Sequence, residues 1–257
     1  MIPTRDITGW SVSALGLDET VAELASWLDA PAAGGPAPYF ACGNPYSFEV
    51  ARRDTAFGAA IHGARLVCAD GVGVLWAARL LRRPLPERVC GPDIFLRLCR
   101  RLDGERPGTR MFFLGSSEEN LAELAARFRR DFPRLEVAGT LAPPFCTEFS
   151  ADDDEQMVAA VEAARTDVLW LGLGAPKQEK WARRNAAALR VRLIGPVGAV
   201  FDFYTERVQP PPRWMRAFGG YTLFRLLQEP RRVGRRLGRD FRFFARAARE
   251  AAGGIFP

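Results

Sequence analysis

Short apolar runs alternate with amphipathic stretches along most of the chain. Tyr39–Cys42, Arg65–Ala69, Met111–Leu114, Glu136–Gly139, Val168–Leu173 and Val191–Ile194 are brief, apolar and bounded by turn residues, and they read as strands. One helix is expected to begin near Asp18 and another near Val72. Helical periodicity covers Asn120–Phe132, Asp153–Arg165 and Gln178–Asn185. Ser116 and Glu119 stand at capping-box spacing directly after a strand, which is a helix-start signal. Pro31–Pro38 is a connector of small residues. Apolar strands alternating with helices predict an α/β fold, with a Rossmann-like, mostly parallel sheet covered by helices on both faces. This α/β domain is expected over residues 1–209. Residues 210–257 form a C-terminal basic helical appendage.

The appendage has its own pattern. At about 100° per residue, Val233, Leu237, Phe241, Phe244 and Ala248 share one narrow arc. Arg232, Arg235, Arg236, Arg239, Arg242, Arg246 and Arg249 lie opposite, with Phe243 among them. From Arg207 onward there are twelve arginines against Glu229, Asp240 and Glu250, a net +9, which leaves −3 for the rest of a chain whose total is +6. Segregation of this kind points to a polyanionic partner, either nucleic acid or an anionic membrane surface. The plain alternative is a solvated helix face in an arginine-rich chain, whose only lysines are Lys177 and Lys180. A basic amphipathic helix with aromatics predicts interfacial membrane binding; the alternative, compatible with it, is a packed helix whose apolar stripe meets the domain. A nucleic-acid binder would interleave aromatics with basic residues on one face. Here they mostly segregate, so no nucleic acid is expected as partner.

Composition narrows the classes further. The chain has 257 residues, 48% hydrophobic and 26% charged, which is globular composition. Its five cysteines are an odd number without a CxxC pair, so neither a zinc site nor a disulfide framework is expected. Met1–Trp10 carries Arg5 and Asp6 and lacks the apolar core of a signal peptide. No apolar window reaches the ~18 residues of a membrane span. A cytosolic protein is the expectation.

In parallel sheets ligands bind beyond the carboxyl ends of the strands. The residues expected there are Asn44, Asp70-Gly71, Gly115-Ser116, Gly172 to Gln178 and Gly195 to Gly198. Glycines allow close backbone approach and helix N-termini favour phosphate, although ordinary turns need glycine too. Neither GxGxxG with a downstream acid nor GxxxxGK[ST] occurs, so neither a dinucleotide cofactor nor a P-loop is indicated.

Five ordered segments carry a family likeness: Asn44-Pro45, Ala69-Asp70-Gly71, Glu87 to Asp93, Phe113-Leu114-Gly115, and Gly172 to Glu179 with its PKQE block. Phe201-Asp202-Phe203 and Gln228 to Arg232 extend it. In these the chain resembles the WecG/TagA/CpsF glycosyltransferases. The resemblance implies an inverting, metal-independent enzyme of cell-surface polysaccharide synthesis. It would carry a sugar of N-acetylmannosamine or glucose type from a UDP-sugar donor to a polyprenyl-diphosphate-linked sugar acceptor, peripherally on the inner face of the cell membrane. It also implies a tail that docks at the membrane and helps complete the active site, and Arg225 and Arg232 match that tail. The chain departs at Pro210-Pro211-Pro212, where the family usually reads Arg-Ala-Pro, at Tyr221-Thr222, and at Cys42, which replaces a Thr. A catalytically silent scaffold therefore stays open as an alternative.

For such chemistry a base must take the acceptor hydroxyl proton, and Asp70 is the candidate; otherwise it caps the following helix. Arg88 is a diphosphate partner, or a surface ion pair with Glu87. Gln178 can donate and accept near a hydroxyl or phosphate oxygen, or simply begin a helix. Asp202 can accept from ribose hydroxyls or the uracil N–H, or cap a backbone. Asn44 shapes its turn and can orient the acceptor. Gly115, Gly172 and Gly174 complete the substrate-binding set. His62 is assigned a surface role. Asp152-Asp153-Asp154 after Ser150 reads as helix-start chemistry, and no metal site is expected.

Overall fold

The computed structural model describes residues 2–29, 35–208 and 230–253, the side chains of 230–237 excepted. Every expected strand is present, shifted by a residue or two: β3 Phe40–Gly43, β4 Leu66–Ala69, β5 Arg110–Gly115, β6 Glu136–Leu141, β7 Val168–Gly172 and β8 Leu193–Pro196. Ahead of them lies an antiparallel hairpin, β1 Thr4–Ile7 and β2 Trp10–Ser13, closed by the tight turn Thr8-Gly9. Nothing in the sequence reading anticipated it.

Helices fill the intervals: α1 Leu17–Ser26, α2 Pro45–Ala51, α3 Thr55–His62, α4 Val72–Leu80, α5 Gly91–Glu105, α6 Glu118–Asp131, α7 Ala151–Ala163, α8 Lys177–Asn185 and α9 Val200–Tyr204. A last helix, α10, runs Pro230–Gly253. The cap of α6 is Ser117, one residue later than expected, and its side chain accepts from the Asn120 N–H. Ser116 takes a left-handed conformation instead. At α7 the expectation holds: Ser150 and Asp153 form a capping box, and Asp154 pairs with Arg184 at 2.9 Å.

Two parallel ladders, β6-β5-β7-β8 and β3-β4, are joined by the parallel bridge Tyr39–Ile194. Alternation along β5 and β7 feeds both faces of the sheet, as a strand buried on two sides requires. Met111, Phe113, Val168 and Trp170 meet α5 and α6 through Phe95 and Phe128. Phe112, Leu114, Leu169 and Leu171 meet α7 and α8 through Val161 and Trp181.

The third cluster lies beside β3 and β4 and contains a correction. α10 packs between α2 and α4 through Phe243 and Ala247, both wholly buried, with Phe243 stacked on Phe48 at 5.9 Å. The arc read as apolar is not the packing arc: Phe241 is 74% exposed, and Phe244 is only partly buried. The reason is the receiving surface. A groove between two helices admits the residue that points into it, here Phe243, and leaves its neighbour on the flank. Val233 and Leu237 have side chains outside the described residues.

Candidate active site

The carboxyl ends of β3 and β4 bring Asn44 and Asp70 together. Asn44 caps α2: its Oδ1 accepts from the Ser47 N–H at 2.9 Å, and its own N–H donates to Ser47 Oγ at 2.8 Å. Its Nδ2 meanwhile donates to Asp70 Oδ2 across a long 3.4 Å contact. The amide therefore shapes its turn, as expected, and also reaches Asp70. Asp70 is half-buried, and its backbone N–H donates to the Gly43 carbonyl at 2.8 Å, which fixes the strand end. The cap of α4 is Gly71, at a positive φ of 98°, without any side-chain cap bond. The cap position itself thus falls to Gly71, one residue after Asp70. A left-handed glycine turns the chain between the carboxylate and the helix.

Beneath Asp70 sit three thiols. Cys42 and Cys68 are register partners on β3 and β4, and Cys90 precedes α5. Burial pushes all three thiols up, with the Asp70 charge adding to the shift, which favours the neutral thiol form. Cys42 belongs to this layer.

Arg88 lies half-buried before α5, with its Nη2 3.2 Å from Asp93 Oδ2. The expected alternative pairing with Glu87 is not formed. Glu87 Oε1 accepts from the Leu17 N–H at 2.8 Å and so closes the start of α1. Asp93 also accepts from the Cys90 thiol at 2.9 Å.

At the centre, Gly115 and Gly172 are register partners at the ends of β5 and β7. A Cβ on Gly115 would lie 2.5 Å from the Gly172 carbonyl carbon, and one on Gly172 would lie 2.4 Å from the Phe201 ring. These glycines serve close internal packing. Gly174, beyond them, meets nothing within 4 Å of such a Cβ and lines the open edge. The chain passes through a cis Ala175–Pro176 bond into α8. Gln178 is 4% exposed; its Oε1 accepts from the Gly174 N–H at 3.2 Å, and its Nε2 donates to Glu179 Oε1 at 3.0 Å. Glu179 is 2% exposed, its Oε2 has no partner among the described residues, and burial pushes its carboxyl up to about 7. The sequence reading gave Glu179 no role of its own.

A second polar cluster stands beyond β5. Asn120 Nδ2 donates to Asp202 Oδ1 at 2.9 Å and to Ser116 Oγ at 2.8 Å, while its Oδ1 accepts from Thr205 Oγ1 at 2.7 Å. Asp202 Oδ1 therefore faces a side-chain amide. Asn120 was missed, although a signal existed. It is buried on the same stripe of α6 as Leu121, Leu124, Ala125 and Phe128, and a polar residue on an apolar stripe has to find partners.

Across the edge the order is Ser116 on β5, Gly172 on β7, the Pro196–Gly198 turn on β8, Asn44 on β3 and Asp70 on β4. Four strand spacings separate the first from the last, about 19 Å. The line carries carboxylates at both ends, with Arg88 beside Asp70. Two concavities, one including Trp10, His62 and Arg65 and the other Pro38, Tyr39 and Arg183, open toward the amino ends of β3 and β4 instead. His62 is exposed and stacked on Trp10 at 4.7 Å, in keeping with a surface role.

Helix α10 follows α2: Arg239 lies over the Tyr46 ring at 4.9 Å, Phe243 on Phe48, and Arg246 3.4 Å from Glu49. The two helices thus run in the same sense, and the nine residues of α10 before Arg239 extend about 14 Å past the start of α2, on the side that carries Asn44 and Asp70. Arg232 belongs to that overhang, its side chain outside the described residues. Arg225, Pro210-Pro211-Pro212 and Tyr221-Thr222 also lie outside them.

A model of the glycosyl transferase WecG/TagA/CpsF family matches residues 5–255. The N-acetylglucosaminyldiphosphoundecaprenol N-acetyl-beta-D-mannosaminyltransferase of Bacillus spizizenii is similar to this chain, 27% identical over 194 residues that span 76% of this chain and 72% of that protein.

Proposed function

The chain belongs to the glycosyl transferase WecG/TagA/CpsF family, and we propose that it moves a sugar from a UDP-sugar to a polyprenyl-diphosphate-linked saccharide, with inversion, during cell-surface polysaccharide synthesis. The similarity to the Bacillus spizizenii enzyme favours N-acetylmannosamine as the sugar and N-acetylglucosamine as the acceptor residue. The observation that carries the reading is the placement of Asp70 and Asn44 at one end of the strand edge and of Asp202 and Asn120 at the other.

In this reading the nucleoside lies at the Asp202 end, and the Asp202 carboxylate accepts from ribose or uracil. The diphosphate lies along the Gly174 turn, which Gln178 holds from below. Arg88 supplies positive charge to a diphosphate. Asp70 takes the proton of the acceptor hydroxyl as its oxygen bonds to the anomeric carbon from the face opposite UDP. The bond from that carbon to the diphosphate oxygen breaks, and UDP leaves with the electron pair. No metal enters the scheme, and charge on the leaving group is met by guanidinium groups and backbone N–H groups.

Residues 1–209 form the catalytic unit in this proposal, and residues 210–257 form the membrane-association segment on the inner face of the membrane. The overhang of α10 past the start of α2 supports that division, since it carries Arg232 toward the edge. No helix among the described residues is long and apolar enough to cross a membrane, and association by surface contact fits that fact.

UDP release with a lipid-diphosphate N-acetylglucosamine acceptor and a panel of UDP-sugars tests the proposal. Asp70→Asn is expected to lower kcat by about 10² to 10⁴ with UDP affinity retained. Near-wild-type turnover in that variant would remove the base. A wild-type protein that neither binds UDP nor turns over any donor would remove the proposal as a whole.

A further inference from the structure

Helix α4 starts two residues after Asp70 and buries Val74, Ala77 and Ala78 against the domain. Its opposite face carries Trp76, 56% exposed, and Leu80, 46% exposed, one turn apart. Single exposed apolar residues are ordinary; these two are continuous with a second helix. The Trp76 ring meets the Phe244 ring at 6.4 Å, and Phe241, one turn earlier on α10, is 74% exposed. Together the residues form one apolar ridge across two helices that are distant in sequence.

The surroundings of the ridge are basic. Arg79 and Arg82 beside Leu80, and Arg242 and Arg249 on the outer side of α10, are all exposed. Two acids of this region are paired, Glu250 with Arg83 at 2.7 Å and Glu49 with Arg246. An apolar ridge rimmed by exposed arginines complements a surface that is hydrocarbon inside and anionic outside.

We propose that α4 and α10 together form the membrane-docking face, with Trp76 and Leu80 inserting into an anionic lipid bilayer beside Phe241. The inference rests on the membrane association proposed above, and goes beyond it by assigning half of the contact to the catalytic domain itself. Trp76 is six residues from Asp70, about 9 Å along the helix axis. Insertion of α4 therefore sets the base at the level of the lipid headgroups, where a lipid-linked diphosphate lies. In this arrangement the tail alone does not orient the site, because the inserted residues stand on the helix that the catalytic strand feeds.

The test uses the full-length protein with phosphatidylglycerol/phosphatidylcholine vesicles and with pure phosphatidylcholine vesicles. The double variant Trp76→Ser, Leu80→Ser should partition to the anionic vesicles at least tenfold more weakly than wild type. It should keep wild-type turnover on a short-chain, water-soluble diphosphate acceptor, which shows that it is folded. Trp76→Phe, which keeps the apolar bulk, should bind like wild type but show clearly less quenching by brominated lipid, the difference being the Trp76 share. That readout is selective, because Trp10, Trp27, Trp170 and Trp181 of the six tryptophans are buried and Trp214 is unchanged between the two proteins. Wild-type partitioning by the double variant, or unaltered quenching in Trp76→Phe, would overturn the inference while leaving association through the tail intact. Failure of the wild-type protein to bind anionic vesicles would overturn both. Concentration-dependent self-association that the double variant abolishes, without any change in vesicle binding, would assign the ridge to a second copy of the chain and overturn the lipid reading.

Discussion

Glu179→Gln turns the buried carboxylate into a measurable effect. Glu179 is 2% exposed, its Oε1 accepts from Gln178, and burial raises its carboxyl from 4.5 to about 7. The folded protein therefore holds this proton more tightly than the unfolded chain does, and stability falls as pH rises. The contribution is fully present below 4.5, shrinks through the interval, and is lost above 7. The displacement corresponds to about 3 kcal/mol over the whole interval, and about 2 to 3 kcal/mol of it falls between pH 5 and pH 8.5. Glutamine keeps the acceptor for Gln178 and cannot ionise. The variant should therefore match wild type to within about 1 kcal/mol at pH 5 and exceed it by about 2 to 3 kcal/mol at pH 8.5. In a chain of this length that is roughly 4 to 8 °C in Tm. Urea titrations of both proteins at the two pH values measure it, and their difference removes every other titrating group. Parallel profiles for the two proteins would refute the argument. So would a variant less stable than wild type at pH 8.5, because that result would mean that the carboxylate is charged and well solvated in the folded state.

Two further outcomes follow from the geometry. Arg88→Ala should weaken UDP or the lipid diphosphate by about tenfold or more with little loss of fold stability, since its ion pair with Asp93 is part-exposed; calorimetry showing both ligands bound as in wild type would remove Arg88 from the site. Phe243→Ala should loosen α10, because a wholly buried ring stacked on Phe48 is lost and such truncations cost about 3 to 5 kcal/mol. Amide exchange in α10 should then rise by at least 10² while exchange in β5 and β7 stays slow, and unchanged exchange in α10 would show that Phe243 does not hold the helix.

Much of the frame was legible because it depends on periods within the chain. Each strand of the sheet is an apolar run flanked by turns, so its place follows from local pattern, and so does the set of residues that the strand ends deliver. Asn44, Asp70, Gly115 and Gly172 were all placed next to one edge by that logic alone, whereas Asp202 was reached only through the family likeness. The hairpin Thr4–Ile7 and Trp10–Ser13 escaped it, because the first strand buries only Ile7 and shows no run to read. The partner of Arg88 escaped as well: Glu87 is adjacent in sequence, yet its carboxylate is drawn to the start of α1, and a residue of the next helix takes its place.

What the sequence determined by itself is the alternation of strands and helices, the chemistry at the strand ends, and the separation of a basic tail from an acidic body. Those properties live in short windows and in sums over residues. The tertiary structure alone decided which face of α10 is buried, that Gly115 and Gly172 meet each other and Phe201, and that Glu179 sits in the interior while its neighbour Lys180 reaches Asp54 at 2.5 Å. Each of these depends on the shape and charge of a surface supplied by a distant part of the chain. Helical periodicity states which residues share a face, and only the groove between α2 and α4 states which face is covered.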